Sequence, residues 1–355
     1  MNRSVLAAIG APMAAAVGFL GTLWLTSGDT GRADGAVLAR NDRVAAHVVP
    51  ASSRPASSKP DKDRATRKAS SARKGSAGRK ASPGGNPPPA PSGGGVLTGH
   101  AFVGVAVKGA IPSSVRSFSA ATRAHMALVE FYTPFGKPFP QQYAAQVVAL
   151  GSTPFIQWNP GTAPLSSIAA GNYDGYVRRY ATALKAFGHN VMLSFGHEMN
   201  GSWSRWGSGH ATPAQFVAAW RRIHNIFANQ HVGNVTWSWD PSHVGADPQP
   251  WWPGAGYVDR IGIDGYLRPG DTFADIFAER LAQIRSFASK PIFIAETGVA
   301  PSTGAPSQII GLFNGVNKYH LSGFVWFDVN RLEQWRLEGH LAAIRAFRIG
   351  VAHNT

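Results

Sequence analysis

The stretch Val191–Gly207, VMLSFGHEMNGSWSRWG, holds the pattern on which the fold turns. A short apolar run stops at Phe195, and a carboxylate, Glu198, follows at once. His197 and Asn200 flank it, and Trp203 and Trp206 come next. The pattern returns in Pro291–Gly298, PIFIAETG, where a second apolar run ends in Glu296. Two carboxylates on the ends of two different strands, with aromatics nearby, suit cleavage of a glycosidic bond. One carboxyl must protonate the leaving oxygen, and the other must attack the sugar carbon or activate water.

Outward from these two runs the same texture repeats. Apolar segments of strand length occur at Phe102–Val107, Ala127–Tyr132, Thr153–Trp158, Val191–Phe195, Val235–Trp239, Arg260–Asp264, Pro291–Ala295 and Gly323–Phe327. Between many of them lie segments with helical spacing of apolar residues. Pro213–Phe227 places Phe216, Ala219, Trp220, Ile223 and Phe227 on one face. Thr212, Pro213 and Gln215 mark its start as cap, first turn and closing capping box. Asp174–Phe187, Phe273–Phe287 and Glu338–Phe347 read alike. Eight strand–helix repeats in a segment of this size predict a (β/α)8 TIM barrel, whose catalytic residues stand at the C-terminal ends of the strands. A doubly wound sheet is the alternative. The strand ends carry Trp158–Asn159, His197–Glu198, Trp239–Asp240, Asp264 with Tyr266, Glu296, and Trp326 with Asp328.

The barrel is assigned to residues 96–355. Residues 1–27 contain the uncharged run Val5–Leu25 behind Arg3, read as a signal-anchor or a signal peptide. Residues 28–95 read as a disordered linker, because Ala51–Gly95 is Ser, Pro, Lys, Arg, Gly and Ala with almost no apolar bulk to offset ordering entropy. Much of the net charge of +15 lies in that linker, so it says little about the site. The basic residues of 51–80 either keep the tether extended or touch anionic wall polymers or lipid headgroups. Nucleic acid is not an expected partner, since no recognition fold accompanies the charge. The expected location is extracytoplasmic, membrane-anchored or secreted, and a monomer is expected. The absence of cysteine rules out disulfides, thiolate metal sites and a Cys nucleophile.

Six glutamates occur in the sequence. Glu279, Glu333 and Glu338 fall in helix or loop positions suited to solvent, and Glu130, inside VEFY, reads as a structural barrel residue. Glu198 and Glu296 remain. A zinc-protease H-E-x-x-H would need a second histidine at position 201, which is glycine, so no metal is expected. An organic cofactor is not implied either. Seven tryptophans, at 158, 203, 206, 239, 251, 252 and 326, fall at strand ends or in loops. About half of them are expected to line a groove for the apolar faces of sugars. The candidate site is therefore Glu198 and Glu296 as catalytic pair. His197, Asn200, Trp158, Trp203, Trp206, Trp239, Asp240, Asp264, Tyr266 and Trp326 are the substrate-binding candidates.

Taken together, HEMNGSW with its following WG, KPIFIAETG, AGNYDGYVRRYATALKAFG, TPAQFVAAWRRIHNIF, NVTWSWDP and PGAGYVDRIGIDGY resemble glycoside hydrolase family 26. This is the β-mannanase family of the retaining clan of barrel glycosidases. The resemblance runs over nearly all of residues 100–350. It implies Glu198 as acid/base, Glu296 as nucleophile, His197 as an orienting group and Tyr266 bonded to the nucleophile. It makes Trp203, Trp206 and Trp326 candidates for the sugar platform. β-1,4-Mannan is the implied substrate. Mixed-linkage β-glucan, β-1,3-xylan and an exopolysaccharide stand as alternatives, and so does a glycan-binding protein without activity. Ser194 stands where these mannanases carry arginine, and Ser204 and Arg205 where they are more aromatic, so the flanking subsites differ.

Overall fold

A computed structural model of the protein describes residues 101–108, 111–331 and 333–354. The signal or anchor run Val5–Leu25 and the linker 28–95 lie outside the described residues. Eight parallel strands close into a barrel in chain order. They are β1 (Phe102–Val107), β2 (Leu128–Pro134), β3 (Thr153–Asn159), β4 (Val191–Phe195), β5 (Val235–Trp239), β6 (Arg260–Asp264), β7 (Ile292–Thr297) and β8 (Gly323–Asp328). Closure is made by β1 against β8, from Phe102 beside Gly323 to Val107 beside Asp328. The (β/α)8 architecture expected from the sequence is the one observed, and each strand lies within three residues of its predicted bounds.

The helices are α1 (Ile111–Thr122), α2 (Gln141–Val148), α3 (Leu165–Ala170), α4 (Asp174–Phe187), α5 (Pro213–Asn229), α6 (Phe273–Arg285), α7 (Ala305–Lys318) and α8 (Leu341–Asn354). α5 begins with the predicted capping box, in which Thr212 and Gln215 each satisfy the other's backbone N–H. α8 starts at Leu341, three residues later than the pattern suggested. The connection from β5 to β6 departs from the repeat. Between them stand only two 3-10 turns, Gln249–Trp251 and Ala255–Tyr257. Pro248, Pro250 and Pro253 remove backbone donors there, and Gly254 takes a φ of 104°. Trp251 packs on Phe216, and Trp252 on Trp239 and Phe287, so two indoles fill the space a helix would cover.

Strand residues sort by parity into two cores. Phe102, Ala106, Leu128, Phe155, Met192, Phe293, Ala295, Val325 and Phe327 fill the barrel interior. Val105, Val129, Ile156, Trp158, Leu193, Trp237, Trp239, Ile261, Ile263, Ile294, Phe324 and Trp326 pack in the larger core shared with the helices. Burying both faces of each strand explains why the runs read as continuous apolar segments.

One strand breaks the alternation. Ile263 and Asp264 of β6 sit beside Ile294 and Glu296 of β7, and Ile294 and Thr297 of β7 beside Phe324 and Trp326 of β8. Ala295 is thus an extra residue, a β-bulge. Strict counting in twos from Ile292 and Ile294 would turn Glu296 outward, towards the helices. The bulge turns it to the inside instead.

Candidate active site

Glu198 stands in the turn after β4 with a φ of 53°. This is the left-handed region, which a non-glycine residue occupies at a cost of about 1 kcal/mol. The turn is held by its neighbours. The Glu198 N–H donates to Asp240 O at 2.7 Å, and Gly201 N–H returns to Glu198 O at 2.9 Å. The side chain accepts the indole N–H of Trp203 on Oε2 at 2.6 Å.

Glu296 is buried and accepts two phenol hydroxyls. Tyr266 donates to Oε2 at 2.6 Å, and Tyr132 donates to Oε1. His197 Nε2 lies 3.9 Å from Oε1. Burial, and after it the charge on Arg331, lower the pKa of His197 to about 3, so the ring is neutral and forms no ion pair. Its Nδ1–H donates to Asn159 Oδ1 at 2.8 Å, which fixes the plane of the ring.

The two glutamates differ in their surroundings. Burial raises Glu198 to about 8, with the charge of Glu296 adding to it, against the opposing hydrogen bonds of Trp203 and Ser242 and the charge of Arg331. Glu296 is also raised by burial, but the two tyrosine hydroxyls and Arg331 oppose that rise. Environment therefore separates a carboxyl that keeps its proton from one with two hydroxyl donors for its charge.

Below the pair lies a further acidic layer. Gln157 Nε2 joins Glu130 Oε1 at 2.8 Å to Asp240 Oδ2 at 3.2 Å. Asp240 Oδ1 also accepts from Ser238 Oγ at 2.5 Å and Gly262 N–H at 3.1 Å. Burial raises Asp240 to about 6. Glu130 and Asp264 are raised well above the usual carboxylate range, first by burial and then by the charge of Glu296.

Several predicted sugar contacts stand elsewhere. Trp158, Trp239 and Trp326 are 0% exposed and Trp206 is 1% exposed, so none offers a face to a ligand. The first three share outward parity on their strands. Trp158 stacks on Tyr180 at 4.2 Å, and Trp326 packs edge-on to Phe347 at 5.5 Å. Trp206 donates its indole N–H to His197 O at 2.8 Å and so braces the β4 turn. Asn200 is fully buried; its Nδ2 donates to the carbonyls of Ser242, Val244 and Ala246, and its Oδ1 accepts from Ser242 N–H. With its amide thus saturated, it ties the β4 loop to the β5 loop rather than touching substrate. Asp240 and Asp264 are likewise 0% exposed. Of the predicted tryptophans at the mouth, Trp203 alone stays half-exposed beside a catalytic candidate.

Other residues gather at the site without having been singled out from the sequence. Tyr132 of β2 has inward parity, a signal that counting in twos from Leu128 would have given, and Asn159, seen in the sequence only as part of a strand end, closes β3 with the same parity as Phe155. Trp335, in the loop after β8, lies against Tyr266 with ring centroids 4.7 Å apart and an interplanar angle of 33°. Gly298 leaves room for it, since a Cβ there would meet the Trp335 ring at 3.2 Å. Nothing in the sequence around Trp335 marks it, because the loop carries no regular period.

The match to known proteins agrees with this geometry. The model of glycosyl hydrolase family 26 matches residues 174–305, a span that includes both glutamates. Endoglucanase H of Acetivibrio thermocellus is 29% identical over 257 residues, which is 66% of this chain and 28% of that protein. Mannan endo-1,4-beta-mannosidase A and B of Caldalkalibacillus mannanilyticus is 27% identical over 128 residues, 34% of this chain and 23% of the other. The chain thus spans only 28% and 23% of the length of these curated relatives. Among solved structures, a double mutant of the Cellulomonas fimi endo-beta-1,4-mannanase superposes with a TM-score of 0.58 at 15% identity, covering 71% of this chain and 70% of that one. That likeness concerns the fold. The resemblance to glycoside hydrolase family 26 read from the motifs is shown by the family match.

Proposed function

We propose, from this resemblance and the site's geometry, that the chain is a retaining endo-glycoside hydrolase acting on a β-linked polysaccharide. Glu296 is its nucleophile and Glu198 its acid/base. The observation that carries the reading is the contrast between the two carboxyls at the barrel mouth. Glu296, ionised between two hydroxyl donors, attacks the anomeric carbon while Glu198 gives its proton to the departing oxygen. Glu198, now ionised, takes a proton from water. That water displaces Glu296 from the sugar, so two inversions leave the configuration retained. His197, neutral and held by Asn159, fills the space beside Glu296 without adding charge.

The partly exposed indole of Trp203 is the aromatic surface assigned to a sugar ring, while Trp335, only 7% exposed, backs Tyr266 from the loop after β8. β-1,4-Mannan is the first substrate, in keeping with the mannanases among the relatives. A β-1,4-containing glucan is the second reading, favoured by the 257-residue alignment with an endoglucanase. The uncharged run at the N-terminus and the basic linker further support an extracytoplasmic, tethered enzyme.

The test is release of reducing ends from glucomannan, galactomannan and mixed-linkage glucan by the full chain, with Glu296→Ala as control. Release from one polymer that disappears in the control supports the reading and names the substrate. Undiminished release by Glu296→Ala would sink the mechanism. Azide separates the roles: rescue of Glu198→Ala should give a glycosyl azide of retained configuration, and rescue of Glu296→Ala one of inverted configuration.

A further inference from the structure

The carboxylate of Glu296 meets a second tyrosine. Tyr132 stands two residues after Glu130 on β2, and period two brings both into the barrel. Its hydroxyl donates to Glu296 Oε1, while Tyr266 occupies Oε2 at 2.6 Å. We propose that Tyr132 is a positioning residue for the nucleophile, forming with Tyr266 a clamp of two hydroxyls, one on each oxygen of Glu296. The inference rests on the reading of Glu296 as nucleophile.

The surroundings give such a clamp a task. The groups facing Glu296 are mostly acidic or uncharged: Glu130 on β2, Asp264 on β6, Glu198 and neutral His197 in the β4 turn, and Asp240 after β5. Glu130, Asp264 and Glu198 each feel its charge as a repulsion. Arg331, in the loop after β8, is the cation whose charge favours ionised Glu296. Hydrogen bonds donated to the charged form are the other means of keeping it ionised in a buried site.

Tyr132 is also placed independently of the carboxylate. Its ring packs edge-on against His197 at 5.6 Å and against Phe327 at 6.4 Å, at interplanar angles of 61° and 83°. The hydroxyl is therefore aimed before the sugar arrives, and no reorganisation is needed as charge leaves one carboxylate oxygen. When that oxygen bonds to the sugar, its donor loses a charged acceptor, while the other hydroxyl keeps the ester carbonyl oxygen. The two donors thus fix the plane of the carboxylate both before and after attack.

The chain's six glutamates make the test direct. The full chain labelled with carboxyl-13C glutamate should give six side-chain signals, and Glu296→Gln identifies one of them. Tyr132→Phe keeps the ring contacts and removes the donor. The Glu296 signal should then titrate about one pH unit or more higher than in the unaltered chain. Tyr257→Phe, which removes a phenol hydroxyl outside the clamp, should leave the midpoint near its original value. An unchanged midpoint in folded Tyr132→Phe overturns the inference. If that variant does not fold, the unaltered chain still decides: two low-field hydroxyl proton lines should broaden together as Glu296 is protonated, and a single such line overturns the clamp. Activity is scored separately. Turnover by Glu296→Gln would remove the nucleophile reading and leave the titration result standing on its own.

Discussion

Trp203 and Glu198 are joined by an indole N–H that donates to Oε2 at 2.6 Å, and the ring lies where a side chain at position 201 would stand. A Cβ on Gly201 would fall 2.2 Å from the indole Cζ2. Gly201→Ala must therefore displace Trp203. The expected result is a loss of about 10- to 100-fold in kcat/KM, a barrier increase of about 1.4 to 2.8 kcal/mol, in a chain that still folds. Trp203→Phe isolates the donor. Because that bond lowers the pKa of Glu198, its loss should carry the alkaline limb of activity to higher pH. Unchanged kinetics in Gly201→Ala would show that the indole does not position the acid.

The pH profile has two predicted edges. Glu198 must hold its proton to act as acid, and its pKa is raised to about 8. Activity should fall as pH rises through about 8. Glu296 must be ionised and is raised by burial, so the acid edge should lie above the ordinary glutamate range. Glu198→Gln should lose the alkaline edge when assayed with an aryl glycoside whose leaving group needs no protonation. A flat profile between pH 5 and 10 for the unaltered chain would contradict both assignments.

Stability should follow the buried acids. Asp240 is raised to about 6, Glu198 to about 8, and Glu130 and Asp264 well above the usual range. A folded-state pKa above the unfolded value means that the folded chain binds more protons in between. Stability is then present in full below the unfolded pKa and lost as pH rises through the folded one. The buried histidines, lowered by burial, work the other way up to their ordinary range, so the decline in melting temperature is expected from about pH 7 to pH 9. Glu130→Gln, neutral throughout and still able to accept from Gln157, should lessen that decline. A melting temperature that climbs over this range would overturn the assignment.

Trp335 and Trp326 should differ in what their loss costs. Trp335→Ala removes the ring that backs Tyr266 and should raise KM several-fold, with a smaller loss of stability than at Trp326. Trp326→Ala empties a fully buried position and should cost about 3 to 5 kcal/mol in denaturant unfolding. Its indole N–H donates to Trp335 O at 3.1 Å, so below its melting temperature KM should rise no more than in Trp335→Ala. A larger rise in KM for Trp326→Ala than for Trp335→Ala would mean that Trp326 reaches the sugar.

Asn200→Ala leaves the carbonyls of Ser242 and Val244 and the Ser242 N–H without that partner, while Ala246 O still accepts from Arg280. A loss of about 2 to 4 kcal/mol is expected from the buried groups alone. Turnover should fall as well, since the β4 and β5 loops would no longer be tied together. Normal stability in this variant would restore Asn200 as a substrate contact.

Much of the barrel was legible because both faces of its strands are buried, so each strand announces itself as an apolar run. Helix starts were legible where the cap is made by local side chains, as at Thr212. The missing helix between β5 and β6 was foreshadowed by Pro248, Pro250 and Pro253. Glu198 and Glu296 stood out as carboxylates at the ends of apolar runs, where burial is costly without a use. The tryptophans misled because an aromatic at a strand end says nothing of which way it faces. Trp158, Trp239 and Trp326 all share parity with outward residues, and counting in twos would have removed them from the site. Trp335 could not be found that way. Its place depends on how a loop without period folds back over Tyr266.

Parity also makes the bulge at Ala295 an unusual allowance in chain length. Barrel strands ordinarily tolerate no insertion or loss, since one residue exchanges the inner and outer faces of everything beyond it. Here the extra residue precedes Glu296, and removing it would restore strict alternation with the carboxylate still inside. Deletion of Ala295 is therefore the length change this strand can survive, and a descendant chain can shed a residue beside Glu296 without turning that carboxyl out of the barrel.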